Sequence, residues 1–232
     1  MRPDRWAPLI LLGCLMTSCA VRHTTMGSLG TPCGAAAASL NGAWRNLDEA
    51  MEAPGGCIQD GGNRCEALRL QVERLMIDCP SNPEVLMANA LLAFQVRELT
   101  KSQQLLDQTF SLQPVYPQAA VLRARIALVE GNVPFAQRFL DQQIRQSSDY
   151  APLRETYASA LYLAKRWDDA RAQLQVASRL GAPAWRVAYS LGLIDEAVGR
   201  TDDAKQRYRE ALEGKPGWNV AESRLRALDA AR

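Results

Sequence analysis

The sequence predicts an all-α fold, a solenoid of stacked helix–turn–helix units with a helical cap at each end. Three observations lead there. The alanines at 136, 170 and 204 are evenly spaced, and the same interval reaches back to Ser102. Four windows in that phase, 83–116, 117–150, 151–184 and 185–218, follow one another without insertion or deletion. Glycine and proline cluster early, at 27–34 and 54–62, and the remainder is rich in Ala, Leu, Arg, Gln and Glu, all good helix formers. A unit of this length cannot bury its apolar face alone, so neighbours must stack into one continuous core.

The N-terminus comes first. Met1 to Arg5 carries Arg2 and Arg5, and Trp6 to Met16 is an apolar run. At about 11 residues that run suits the core of an export signal and falls well short of the roughly 20 needed to span a bilayer. Thr17 and Ser18 then precede Cys19. The box Leu15-Met16-Thr17-Ser18-Cys19 resembles the bacterial lipoprotein signal, in which 1–18 is removed and the cysteine acylated. A rival box, Leu11-Leu12-Gly13-Cys14, fits the box positions better but leaves a shorter apolar core, so Cys14 stays as the alternative to Cys19. Ala20 rather than Asp follows Cys19, which by the same resemblance implies the outer membrane, with the chain in the periplasm. Residues 19–38, with Gly, Ser, Thr and an alanine run, read as a lipidated start and flexible tether.

Four cysteines remain: Cys33, Cys57, Cys65 and Cys79. None forms a Cys-x-x-Cys pair, and the lone His23 lies away from them, so no metal is expected. An exported location favours disulfides. Residues 64–78 read as a helix with Ala67, Leu68, Val72, Leu75 and Met76 on one face. Along it Cys65 and Cys79 stand about 21 Å apart at 1.5 Å per residue, too far for a bond that needs α-carbons within about 7 Å. Residues 39–52 read as a preceding antiparallel helix. In that hairpin, spanning 39–82, Cys33 faces Cys79 and Cys57 faces Cys65, which is the expected pairing.

The four windows resemble the tetratricopeptide repeat. In the last, Leu191-Gly192, Gly199, Ala204, Tyr208, Ala211-Leu212 and Pro216 fall at the signature positions. The third supplies Tyr157-Ala158, Leu161, Trp167, Ala170, Leu174 and Ala177; the second Ala124, Ala127, Gly131, Ala136 and Leu140; the first Ala90, Ala93, Ser102, Leu106 and Pro114. Small residues let two helix backbones approach, and the larger ones fill the space towards the next unit. Asp195 departs from the pattern where an apolar residue is usual, which predicts one weakened contact. The resemblance implies a right-handed α-solenoid, with 39–82 as N-terminal cap or degenerate repeat. Residues 219–232 read as the C-terminal capping helix, with Val220, Leu225 and Leu228 inward.

Chemistry is sparsely represented. Nucleophilic catalysis usually wants a histidine base, and His23 sits in the tether. The pairs Asp168-Asp169 and Asp202-Asp203 read as helix-start acids rather than a metal site. No enzyme activity and no cofactor are expected. Net charge is +2 with both signs interspersed, so no basic stripe argues for nucleic acid. The resemblance implies a concave groove lined by first helices, here Met87, Leu91, Val121, Leu122, Arg125, Glu155, Ser159, Tyr162, Arg186, Tyr189 and Leu193. Such a groove takes an extended peptide or a helix. The function implied is an envelope adaptor or scaffold for pilus or secretin biogenesis, secretion or polysaccharide export. A small-ligand binder or accessory subunit using the cysteine module, and a structural homo-oligomer, are the alternatives.

Overall fold

The computed structural model describes residues 63–230, with side chains from Glu66 onward. The signal, both candidate acylation cysteines, the tether and the 39–52 helix lie outside the described residues. Within them the chain forms ten helices and no strand. α1 (Asn63–Asp78) precedes four antiparallel pairs: α2 (Pro83–Gln95) with α3 (Leu99–Leu112), α4 (Pro117–Val129) with α5 (Val133–Gln146), α6 (Ala151–Leu163) with α7 (Trp167–Arg179), and α8 (Ala184–Ala197) with α9 (Thr201–Gly214). α10 (Asn219–Ala230) follows. The second helices begin at 99, 133, 167 and 201, the same interval at every step.

Local chemistry sets these boundaries. Asn82 caps α2, its side-chain oxygen accepting from the Glu84 and Val85 amides at 2.9 and 3.1 Å, and Pro83 occupies the first turn, where no amide is needed. Each first helix ends on one residue in the left-handed region: Arg97, Gly131, Lys165 and Gly199, with φ of 67°, 76°, 59° and 79°. The next amide reaches back five residues to a helical carbonyl, as in Arg200 to Asp195 at 2.8 Å, which closes each helix with a Schellman turn. The acid pairs stand in the first turns of α7 and α9, as expected of residues that favour the helix dipole.

The core runs the length of the row. α1 buries Leu68, Val72 and Leu75 against Val85, Ala88 and Leu92 of α2, while Ala67 is exposed. Within the pairs, Ala90, Ala124 and Ala158 lie fully or almost fully buried, as do Leu106, Leu140 and Leu174 of the facing helices. Ser102 takes the place of the later alanines because its hydroxyl donates to the Ala90 carbonyl at 2.7 Å, so burial leaves no unpaired polar group. First helices also pack on one another from pair to pair, which sets them along the inner side of the row.

Two expectations need correcting. In α10 it is Ala221 that is fully buried, while Val220 remains 45 % exposed and Leu225 and Leu228 are half-buried. The small methyl lets the capping helix lie close, so its contact is made one residue later than the apolar pattern suggested. Asp195 is not a weakened apolar contact. Its carboxylate, buried in α8, accepts from Arg171 and Arg200, each at 2.7 Å, and so ties α7, α8 and the following turn together.

Candidate binding groove

The inner face divides into two adjoining depressions. The first, polar in its charged residues Arg125, Glu155 and Arg186 and about 270 Å³, lies over the C-terminal half of α4, the middle of α6 and the N-terminal half of α8, and it reaches Trp218 before α10. The apolar one, about 190 Å³, lies further along α6 and α8, floored by Leu174 of α7, and is lined by Tyr162, Leu163, Leu193 and Ile194. Ser159 and Ser190 belong to both. A surface partner can therefore contact the two together.

Aromatic rings build one wall. Trp218 meets Trp185 edge-on at 4.9 Å and leans on Tyr189 at 4.6 Å, and Tyr189 in turn packs 5.6 Å from the buried Tyr208. The Tyr189 hydroxyl is pushed above its ordinary pKa, by burial first. The Lys215 ammonium sits over the Trp185 ring at 4.6 Å. These tryptophans join the last unit to the capping helix, and they also face the groove. Tyr116, Tyr150 and Trp218 share the phase of the units, a signal in the sequence that aromatics recur where a second helix meets the next unit.

The charges in the groove are unequal. Arg186 on α8 donates to Glu155 on α6 through Nε and Nη2, at 3.1 and 3.0 Å, a two-point pair that satisfies both partners. Arg125 on α4 makes no hydrogen bond or ion pair with any described residue. Its side chain is solvent-accessible at the mouth yet walled by protein on several sides. That setting holds its pKa below the usual guanidinium value, by burial first and then by repulsion from Arg186, against partial relief from Glu155 and Tyr150. A guanidinium keeps its proton regardless, so the groove carries one uncompensated positive charge.

The residues expected to line the groove separate into two sets. Arg125, Glu155, Ser159, Arg186 and Tyr189 meet in the polar depression, and Ser159, Tyr162 and Leu193 in the apolar one. Met87, Val121 and Leu122 do not line it. They are 4 %, 7 % and 2 % exposed, Met87 and Leu122 packing with Leu106 and Ile126 and Val121 with Leu140 and Leu153. Leu91 is half-buried against the first two core clusters. Leu128, Thr156, Trp185, Ser190 and Trp218 complete the lining of the polar depression.

Outside the groove, a depression of about 380 Å³ is lined by Arg171, Asp195, Arg200, Asp203 and Arg207. Its charges are paired among themselves or with Glu210, so it offers no free group. Cys79 is buried beyond the end of α1 and disulfide-bonded; Cys33, Cys57 and the Cys65 side chain lie outside what is described.

No protein-family profile matches the sequence, and no curated protein matches it closely enough to be counted a relative. Solved structures do share the shape. A thermophilic tetratricopeptide-repeat protein of Thermus thermophilus is 20 % identical, over 81 % of this chain and 99 % of that one, with a TM-score of 0.67. A tetratricopeptide-repeat protein of Parabacteroides merdae is 17 % identical over 85 % of this chain and 79 % of that one, TM-score 0.65. The human IFIT1 dimer, solved with the capped RNA m7Gppp-AAAA, is 18 % identical over 83 % of this chain and 45 % of its own, TM-score 0.67. At such identities the likeness speaks for architecture alone, and the architecture of residues 63–230 is the tetratricopeptide-repeat fold.

Proposed function

We propose that this chain is a non-catalytic protein–protein interaction module whose inner groove holds an extended peptide or a helix of a partner. One observation carries the reading: an accessible surface built from three first helices combines apolar relief, four aromatic rings and an unpaired arginine. Tyrosine, tryptophan and arginine are the residues in which interfaces concentrate their binding energy, often about 2 kcal/mol or more for each side chain truncated. The human neighbour, which shares the fold over part of its length, was solved with a capped RNA, so the fold alone does not choose the ligand. Here Glu155 interrupts the cationic positions, which disfavours a phosphate backbone and favours a protein.

In this reading the four windows 83–116, 117–150, 151–184 and 185–218 are the repeats. The chain is acylated at Cys19, with Cys14 as alternative, and held at the outer membrane with its domain in the periplasm. There it serves an envelope assembly such as pilus or secretin biogenesis, secretion or polysaccharide export. Cys33–Cys79 and Cys57–Cys65 bridges staple the N-terminal cap. The N-terminal box, the oxidising location it implies and the length of α1 support these points. Acyl labelling should survive Cys14→Ala and disappear with Cys19→Ala; the reverse result moves the site.

The groove is tested by obstruction. Ser159 is exposed on α6, between the two depressions, and its hydroxyl bonds only its own helix, to the Glu155 carbonyl at 3.1 Å. Ser159→Phe should fill the groove and leave the core untouched. Partners cross-linked in the native cell should be lost with this variant while the thermal midpoint stays put. Retained partners with an unchanged midpoint would place the interaction elsewhere on the molecule.

A further inference from the structure

We infer that the groove selects a partner segment carrying a carboxylate side chain and an aliphatic one close together, the carboxylate on Arg125 and the aliphatic group in the apolar depression. The inference rests on the groove reading and adds the chemistry of the occupant. Its first support is the charge balance. Glu155 is engaged at both oxygens by Arg186, so Arg125 is the cation of the inner face without a counter-ion among the described residues. A carboxylate offers the planar, two-point acceptor that a guanidinium fork matches.

The second support is adjacency. Ser159 and Ser190 stand between the depressions, with Glu155 and Arg186 about one helical turn to one side and Leu163 and Ile194 one turn to the other. The depression that holds Arg125 thus opens into the apolar one across two small side chains, and one short segment can reach both. The apolar depression, at about 190 Å³ and walled by Tyr162, Leu163 and Leu193, suits one branched aliphatic side chain. The order of the two residues along the partner follows its direction in the groove, and either order satisfies the geometry.

The experiment uses the full-length chain as bait for a displayed library of random twelve-residue segments. The wild type should enrich segments in which Asp or Glu stands at a constant short spacing from Leu, Ile or Val. The best segment, made as a capped peptide, should lose at least tenfold in affinity when its acid becomes the amide isostere. Arg125→Gln should cause a similar loss, and the amide peptide should lose nothing further on that variant. Selected segments that are blocked by Ser159→Phe but show no acid enrichment, and bind Arg125→Gln equally, would overturn the inference and leave the groove reading standing. Segments that bind the Ser159→Phe chain unchanged would overturn both. A thermal melt of each variant separates lost binding from lost folding.

Discussion

Gly192 and Tyr208 illustrate how one side chain's size fixes another's. In the first three pairs the close approach is alanine against leucine: Ala90 with Leu106, Ala124 with Leu140, Ala158 with Leu174. In the fourth the larger ring is fully buried and the facing residue has no side chain. A Cβ added to Gly192 would stand 2.7 Å from the Tyr208 ring, closer than any real contact. Gly192→Ala should therefore cost about 1–3 kcal/mol by overpacking. Adding Tyr208→Leu restores the pairing used by the other three, so the double variant should lose less than the sum of the single effects. Denaturant melts of all four chains check this, and simple additivity would show that the two residues do not compete for space. The turns between paired helices give a second prediction at this scale. Lys165 occupies the left-handed position that glycine holds at 131 and 199, at a steric cost of roughly 1–2 kcal/mol. Glycine there adds freedom to the unfolded chain, which offsets part of the gain, so Lys165→Gly should raise stability by up to about 1 kcal/mol, read from the same melts.

At the scale of helices, the cap α10 is held by more than apolar contact. Lys205 of α9, only 5 % exposed, places its ammonium 2.8 Å from Asp229, and Arg224 reaches Glu196 of α8 at 3.0 Å. Ending the chain at Trp218 would remove both partners and uncover the face that Ala221 covers. The truncated chain should melt lower, with amide protection lost first in α9 and least in α4. Uniform loss would mean that the row unfolds as one unit rather than by neighbours. Helices like these were legible in the sequence because small residues must recur wherever two backbones meet, and that need returns once in every unit. The groove was only partly legible. α2 is apolar on nearly every side, burying Val85 through Ala90 without a break, and a helix of that kind is covered all round. Periodicity therefore could not tell Met87, Val121 and Leu122, which neighbouring helices cover, from Tyr162 and Leu193, which nothing among the described residues covers fully. The ion pair at Asp195 escaped for another reason. Its partner Arg171 comes from the preceding unit, and Arg200, five residues on, meets it only because the turn folds back, so helical periodicity joins neither to it.

Across the whole molecule, polar and apolar seams are unevenly distributed, and this gives the row a direction. Around α4 and α5 the joints are aromatic: Phe135 stacks on Phe139 at 5.6 Å, and Phe110 meets Phe139 edge-on at 6.1 Å. From α6 onward they include Arg186 with Glu155, Asp195 with Arg171 and Arg200, and Lys205 with Asp229. Burial alone would raise the Asp195 pKa, but the hydrogen bonds and charges of Arg171 and Arg200 outweigh it and hold the carboxyl below its ordinary value. A carboxyl whose pKa is lower folded than unfolded contributes stability that is fully present above the unfolded value, about 3.9, and lost as pH falls through the folded value. Protonation would also leave two guanidinium groups facing a neutral acid that is almost fully buried. Acid should accordingly loosen the C-terminal half before the N-terminal half. Hydrogen exchange at pH 7 and near pH 2.5, corrected for the intrinsic rate at each pH, should show protection falling more in α7 to α9 than in α4 and α5. Asp195→Asn should reproduce that asymmetry at neutral pH, because the amide keeps the shape and one acceptor but removes the charge. Equal loosening of both halves in acid would mean that the Asp195 cluster does not set the acid response, and that general charge repulsion does.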